Sequence, residues 1–265
     1  MDSESRSKLN RLLTAWPQAT VAVSRWLKAH GAYQQLVHKY QKSGWIQRIG
    51  QGAYMRAGGT VEWTGGLHAL QEQLKLPIHA GAKTALQMQG YAHFLAIGKG
   101  GTVSLFGNSG TRLPAWFRQY GWGVELRYFT TKLFADYPNA GLAKKELAAY
   151  AITVSAPERA MMEVLYLVPA EESFEEADLL MEGLTTLRPL LVQLLLEQCR
   201  SVKVKRLFMF LAEARNHAWV KKLDLSKVDF GKGKRMVVKG GRLDAKYNIT
   251  VPETSLQRKV SVNSA

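Results

Sequence analysis

Tyr33-Gln34-Gln35-Leu36-Val37-His38-Lys39-Tyr40-Gln41-Lys42-Ser43-Gly44-Trp45-Ile46-Gln47-Arg48-Ile49-Gly50-Gln51-Gly52-Ala53-Tyr54-Met55-Arg56 changes period halfway along. Tyr33, Leu36, Val37 and Tyr40 recur at helical spacing, so the first half reads as a helix with those four side chains inward and Gly44 as its stop. The outward face then carries Gln34, Gln35, His38, Lys39 and Lys42. Beyond Gly44, Trp45–Ile49 and Ala53–Arg56 read as two short strands, and Gly50-Gln51-Gly52 between them has hairpin chemistry.

Working upstream, Leu9, Leu12, Leu13 and Trp16 define one apolar helical face, closed by Pro17. Thr20-Val21-Ala22-Val23 reads as a brief strand. Ser24 fits an N-cap for a short helix, Arg25 to His30, with Trp26 and Leu27 inward and Gly31 as its terminator. Helix, short helix, Gly turn, polar-faced helix and small hairpin form the order of a winged helix-turn-helix. A helix of this kind fits the major groove of duplex DNA, about 12 Å wide, where every base pair presents a distinct donor and acceptor pattern. Gln34, Gln35 and His38 are suited to base edges, and Lys39 and Lys42 to phosphates, which supply affinity without sequence information. Arg48, Gln51 and Arg56 on the hairpin are placed for the backbone or the minor groove. A solvated helix facing another protein shows the same residue types; the element order and the charge favour DNA.

The 265 residues carry 36 Lys and Arg against 21 Asp and Glu, a net charge of +15, which points to a polyanionic partner. The surplus is uneven: +6 over residues 1–62, −2 over 63–199 and +11 over 200–265. Two basic ends therefore flank a nearly neutral body. With 46% hydrophobic residues the chain can build sizeable cores, which excludes disorder as its dominant state. The single cysteine, Cys199, excludes a disulfide framework and a multi-thiolate zinc site. The polar start Met1-Asp2-Ser3-Glu4-Ser5-Arg6 is not a signal peptide, and the greasiest stretch, Leu187 to Leu196, is broken by Arg188, Pro189 and Gln193 and is too short to span a membrane. The expected location is cytoplasmic, with no membrane partner.

Gly58-Gly59 suggests a linker, giving a DNA-binding domain at 1–60 and a larger C-terminal domain at 61–265. In the body, Leu67, Leu70 and Leu74 mark a helix closed by Pro77. Strands are expected at Ile78–Gly81, Val103–Phe106, Val124–Phe129 and Ala151–Val154. Helices are expected at Ala82–Gln89, Pro114–Tyr120, Glu158–Leu167, Phe174–Met181, Leu187–Cys199 and Val204–Asn216. The fold class is α+β, a winged helix-turn-helix followed by a mixed α/β domain. The acidic run Glu171, Glu172, Glu175, Glu176 and Asp178 sits at a helix start and reads as a solvated face.

From Lys221 the chain becomes strands, turns and cations. Lys232, Lys234, Arg235, Lys239, Arg242 and Lys246 lie among Gly231, Gly233, Gly240 and Gly241. Glycine between cations lets backbone N–H groups approach an anion, so the segment could hold a phosphate-rich ligand; a twisted hairpin with basic edges is the structural alternative. Phosphate-loop, dinucleotide, zinc-protease and serine-hydrolase motifs are missing, and the clustered Gly98, Gly100 and Gly101 fix no cofactor. Asp229, Asp244 and Lys246 have the D…DxK form of a Mg²⁺-dependent nuclease, although a salt-bridged turn explains them as well. No cofactor, metal or catalytic activity is expected. A ligand-responsive repressor is the other alternative.

Three stretches resemble one known family. Ser43-Gly44-Trp45-Ile46-Gln47-Arg48-Ile49-Gly50-Gln51-Gly52-Ala53-Tyr54, Ala80-Gly81-Ala82-Lys83-Thr84-Ala85-Leu86-Gln87-Met88-Gln89-Gly90-Tyr91-Ala92-His93 and Val237-Val238-Lys239-Gly240-Gly241-Arg242-Leu243-Asp244-Ala245-Lys246-Tyr247 are similar to AbiEi antitoxins of type IV (abortive infection AbiE) toxin–antitoxin systems, which act in phage defence. The resemblance implies an N-terminal region extending to about residue 95 that binds inverted repeats in its own promoter as a repressor. It implies a C-terminal domain that counters a nucleotidyltransferase toxin without a stable complex being required. By position, Gln34–Lys42 would be the readout helix and Arg48–Arg56 the wing. The basic tail 200–265 is the candidate antitoxin surface.

Overall fold

A computed structural model describes residues 3–91 and 100–253, with side chains from residue 7 onward. Ala92-His93 of the second family-like stretch and Gly98 of the glycine cluster lie outside the described residues. The chain opens with α1 (Ser3–Ala15), β1 (Ala22–Val23), α2 (Ser24–Ala29), α3 (Gln34–Lys42), β2 (Ile46–Gly50) and β3 (Ala53–Arg56). Then come α4 (Trp63–His68), a π turn (Ala69–Gln73), β4 (Ile78–Ala80), α5 (Ala82–Met88), β5 (Thr102–Asn108), α6 (Ala115–Gln119), β6 (Glu125–Thr131), β7 (Leu142–Glu146) and β8 (Ala151–Ser155). Four longer helices follow: α7 (Pro157–Leu167), α8 (Phe174–Gly183), α9 (Pro189–Gln198) and α10 (Val202–Ala214). Two 3₁₀ turns, Ala218–Lys222 and Leu225–Lys227, lead to β9 (Arg235–Met236), β10 (Arg242–Asp244) and β11 (Ile249–Val251).

Two compact units result, and each is interleaved in sequence. Of the described residues, one holds 3–79, 100–130 and 144–154; the other holds 80–91, 131–143 and 155–253. The first unit therefore does not end at Gly58-Gly59. It joins the winged helix-turn-helix to most of a five-stranded sheet of order β6-β5-β4-β8-β7. Gln73 makes the join: its side-chain oxygen accepts from the Val23 N–H at 2.9 Å and its amide donates to the Val21 carbonyl at 2.7 Å. The Gly65 carbonyl accepts from the Val21 N–H, and a Cβ on Gly65 would fall 2.0 Å from the Ala19 carbonyl oxygen, so only glycine permits the approach. Gln71 does similar service in the sheet, bonding the Ile78 carbonyl and both backbone groups of Thr153.

The core of the N-terminal module is the cluster Leu9, Leu12, Trp16, Leu27, Val37, Tyr40 and Ile46, with Leu13, Trp26, Leu36 and Tyr54 packed against it. At about 25 cal/mol per Å² of apolar area, these side chains are what hold three short helices that would not persist alone.

The second unit is built around α7, which packs against α5, α8, α9 and α10. Two of its buried charged side chains, Glu163 and Arg159, are held by several partners. Glu163 accepts from the Ala82 N–H at 3.1 Å, from Ser155 Oγ at 2.7 Å and from Arg159 Nε at 2.9 Å. Arg159 also donates to the Pro138 and Ala140 carbonyls. Lys83, from the second family-like stretch, pairs with the buried Glu172 at 2.6 Å, so part of the acidic run is a docking point inside this unit rather than a solvated face.

The strand β7 was not foreseen from the sequence, because Leu142–Glu146 alternates weakly and carries two adjacent lysines.

Candidate nucleic-acid interface

Ala32, Val37 and Tyr40 are pulled into the core, and this fixes the rotation of α3 about its axis. Gln34, Gln35, His38, Lys39 and Lys42 then stand on the exposed side together. Gly31 at φ +81° turns the chain between α2 and α3, and Gly44 at φ +70° releases it from α3 toward the wing. β2 and β3 pair antiparallel with Arg48 opposite Tyr54, and a bulge between Arg48 and Gly50 twists the hairpin tip. Arg48 and Gln51 are exposed on that wing, and Arg48 Nε donates to the Gly50 carbonyl at 3.0 Å, which holds its guanidinium at the tip.

Two residues depart from the sequence expectation. Tyr33 is 60% exposed instead of buried. It precedes the first helical residue, with an extended ψ of 170°, so its side chain does not follow the helical stripe that Leu36, Val37 and Tyr40 continue. Arg56 is only partly exposed, and its guanidinium donates to the carbonyls of Leu13 and Trp16 at the end of α1 while lying 5.9 Å from the Trp16 ring. Burial lowers its pKa from the ordinary value. It fastens the wing to the end of α1. Trp45, 47% exposed between α3 and β2, went unnoticed in the sequence because it reads as the first residue of a half-buried strand. Tyr33 and Trp45 thus add aromatic surface at the two ends of the readout helix.

The tail of the second unit is organised by one arginine. Arg206, almost fully buried on α10, donates to the carbonyls of Phe230, Gly231, Gly233 and Asn248. The glycines there, Gly231 at φ +65° and Gly233 at φ +74°, aim carbonyls at a cation, and the Gly231 N–H is taken by Asp229. The expected cradle of N–H groups for an anion is therefore not formed at Gly231. β11 pairs antiparallel with β10 and parallel with β9. Lys232, Lys234, Arg235, Lys239, Arg242 and Lys246 are all exposed, but Arg242 meets Glu253 at 3.3 Å and Lys246 meets Glu213 at 2.6 Å.

The D…DxK residues serve local structure. Asp229 holds the Gly231 N–H, Asp244 holds the Tyr247 N–H, and Lys246 is bound to Glu213. Among the described residues no three metal-ligating side chains gather. No helix there is long and apolar enough to cross a membrane.

An exposed polar helix presented by a helix-turn-helix with an adjoining wing is the architecture of winged helix-turn-helix transcriptional regulators. The chain belongs to the AbiEi antitoxin family: residues 5–97 match the family described as "Transcriptional regulator, AbiEi antitoxin N-terminal domain" and residues 100–252 match "Transcriptional regulator, AbiEi antitoxin, Type IV TA system". The fold is similar to the crystal structure of the RV2827C protein from Mycobacterium tuberculosis, with a TM-score of 0.58, 15% identity and coverage of 100% of this chain and 96% of that one. None of the curated proteins matches the chain in sequence.

Proposed function

We propose that this regulator binds inverted repeats in its own promoter, represses its operon and counters a nucleotidyltransferase toxin, with no catalysis of its own and acting in the cytoplasm. The observation that carries the DNA half is the rotation of α3, which puts Gln34, Gln35, His38, Lys39 and Lys42 outward as one set while Val37 and Tyr40 anchor the helix. Gln34 and Gln35, at the N-terminal end, are where recognition helices meet base edges, and Gln bonds adenine in bidentate fashion. Lys39 and Lys42 meet phosphate, and Arg48 and Gln51 follow the backbone or minor groove from the wing. Two copies on a palindromic site would sit about one helical turn apart.

Gel shift on the upstream DNA tests this reading. Lys39→Ala with Lys42→Ala should weaken operator and random duplex alike, and lower the slope of log affinity against log salt by about 1.8 at roughly 0.9 per phosphate contact. Gln34→Ala or Gln35→Ala should leave the slope and erode the preference for operator. A wild-type chain that shows no salt-dependent retardation would remove the proposal.

For the antitoxin half, the basic surface of Lys232, Lys234, Arg235 and Lys239 is the proposed acting region, since a nucleotidyltransferase and its nucleic-acid target leave an anionic surface to compete for. The Lys39→Ala, Lys42→Ala chain should still rescue growth when the toxin is co-expressed, whereas replacing the four tail cations should abolish rescue without loss of operator binding. Growth arrest persisting with the wild-type chain would refute this half.

A further inference from the structure

The first unit contains a cleft of about 570 Å³ lined by Thr111, Arg112, Leu113, Arg118, Leu126 and Tyr128. Sites that take one small organic molecule run to about 300–1,000 Å³, and the cleft is of that class. The sheet builds it in advance of any ligand. Gly107 on β5 lets the Tyr128 side chain of β6 lie across it, because a Cβ there would fall 2.2 Å from the Tyr128 hydroxyl oxygen. The turn that follows β5 is closed by the Thr111 N–H donating to the Asn108 carbonyl at 3.0 Å, with Gly110 at φ +88°. It presents the Thr111 carbonyl to the Tyr128 hydroxyl, which donates to it at 3.0 Å. The ring is held in place from both sides.

None of the lining side chains is a carboxylate. Arg112 and Arg118 are exposed, and among the described residues neither guanidinium has an acidic partner. The neighbouring acid on β6, Glu125, is occupied by Arg127 at 3.0 Å and by Thr102 at 3.2 Å. Leu113 is buried and Leu126 and Tyr128 are half-buried, so the floor is aliphatic and aromatic. Two guanidinium groups over such a floor match a molecule with anionic oxygens at one end and a flat ring at the other. A nucleoside triphosphate has both: its phosphates accept from the forked arginine donors, and any base stacks on an aromatic ring. Inorganic phosphate would leave the floor uncovered, and the convex backbone of a duplex would not enter a cleft of this size.

We propose that this cleft is an effector site for a free nucleoside triphosphate, with Arg112 and Arg118 on the phosphates and Tyr128 and Leu126 under the base. Occupancy is transmitted to the wing through α6. Arg118 is on α6, and α6 packs on β2 so closely that a Cβ added to Gly50 would lie 2.7 Å from Trp116 Cβ. Tyr120, just past α6, reaches Met55 Sδ of β3 at 3.8 Å. A ligand that draws Arg118 inward therefore moves a helix that touches both strands of the hairpin. The inference rests on the DNA-binding reading above for what the ligand controls, but not for the ligand itself.

The test is calorimetric titration of the full chain with ATP, adenosine and tripolyphosphate, in buffer without divalent metal. ATP at about a hundredfold above its Kd should raise the melting temperature by about 5–10 °C. Tripolyphosphate, which lacks the stacked base, should bind about tenfold or more weakly. Arg112→Ala with Arg118→Ala should keep the ligand-free melting temperature and bind ATP about a hundredfold more weakly. Tyr128→Leu should bring ATP down to the affinity of tripolyphosphate. Saturating ATP should change the Kd for upstream DNA by about fivefold or more in wild type and leave it unchanged in the arginine variant. ATP that binds wild type and the arginine variant equally, or no better than tripolyphosphate, would overturn the proposal. So would a ligand-free arginine variant with a reduced salt slope on DNA, which would assign the cleft to the duplex. Binding of ATP with no effect on DNA affinity would refute the transmission through α6 and support the site. A wild type that binds ATP but no DNA would remove the DNA reading and leave the site standing.

Discussion

Replacing Arg56 separates a structural anchor from a DNA contact. The guanidinium ties β3 to the Leu13 carbonyl in the last turn of α1 and to the Trp16 carbonyl just past it, and lies over the Trp16 ring. Each charge-assisted hydrogen bond is worth about 1.5–3 kcal/mol, and a cation at a helix C-terminus adds about 0.3–1 kcal/mol. Against this stands the buried Nε, which has no hydrogen-bond partner among the described residues and costs about 1–3 kcal/mol. Two such bonds and the helix-end contribution, less this cost, leave a net loss for Arg56→Ala centred on about 3 kcal/mol, which at roughly 2–4 °C per kcal/mol lowers the melting temperature by about 6–12 °C. Arg56→Lys keeps the charge but cannot fork across two carbonyls, so it should lose a large part of the same stability. Thermal unfolding by circular dichroism measures this, alongside salt titrations of DNA binding well below the transition. Both variants should melt early and keep the wild-type salt slope. An Arg56→Ala chain with wild-type melting and a slope reduced by about 0.9 would show that the side chain holds a phosphate, and the anchoring argument would fall.

Gly65→Ala puts a Cβ 2.0 Å from a backbone carbonyl that cannot step aside, so the variant should lose several kcal/mol or accumulate insoluble; wild-type melting would contradict the packing described. Burial pushes the Cys199 thiol up to about 11, so Ellman's reagent at pH 8 should find almost no reactive thiol until denaturant is added, and immediate labelling would refute the burial. Burial works to raise the Glu158 carboxyl, but the Arg188 guanidinium and N–H outweigh it and hold the pKa below the ordinary value. A depressed folded-state pKa gives stability that is present above the ordinary carboxylate range and lost as pH falls through the folded value. Acid titration of unfolding should therefore show a destabilisation that Glu158→Gln has already suffered at neutral pH, and an unchanged acid limb in that variant would refute the coupling.

Much of the N-terminal module was legible before any coordinates. Leu9, Leu12 and Trp16, then Val37 and Tyr40, repeat at helical spacing, and Gly31, Gly44 and Gly52 stand where the backbone takes positive φ. These are local signals, because apolar period and turn chemistry act over a few residues. They were enough to place α3 and the hairpin and so to suggest which polar side chains face outward. Their reach ended where a residue's role depends on something distant in the chain. Tyr33 belonged to the stripe by spacing, yet α3 begins one residue later and leaves it exposed. Arg56 read as one more wing cation until α1 supplied two carbonyls 40 and 43 residues away. Gly58-Gly59 looked like a domain break, but Gln73 reaches back 50 residues to Val23 and holds both sides in one unit. In the tail, spacing suggested glycines presenting N–H groups, whereas Arg206 gathers the Gly231 and Gly233 carbonyls from 25 and 27 residues away. Periodicity and turn residues settle what each segment becomes. Partners for buried polar groups are chosen across the fold, because a desolvated N–H, carbonyl or guanidinium must be met by whatever group packing brings near, and sequence distance says nothing about that.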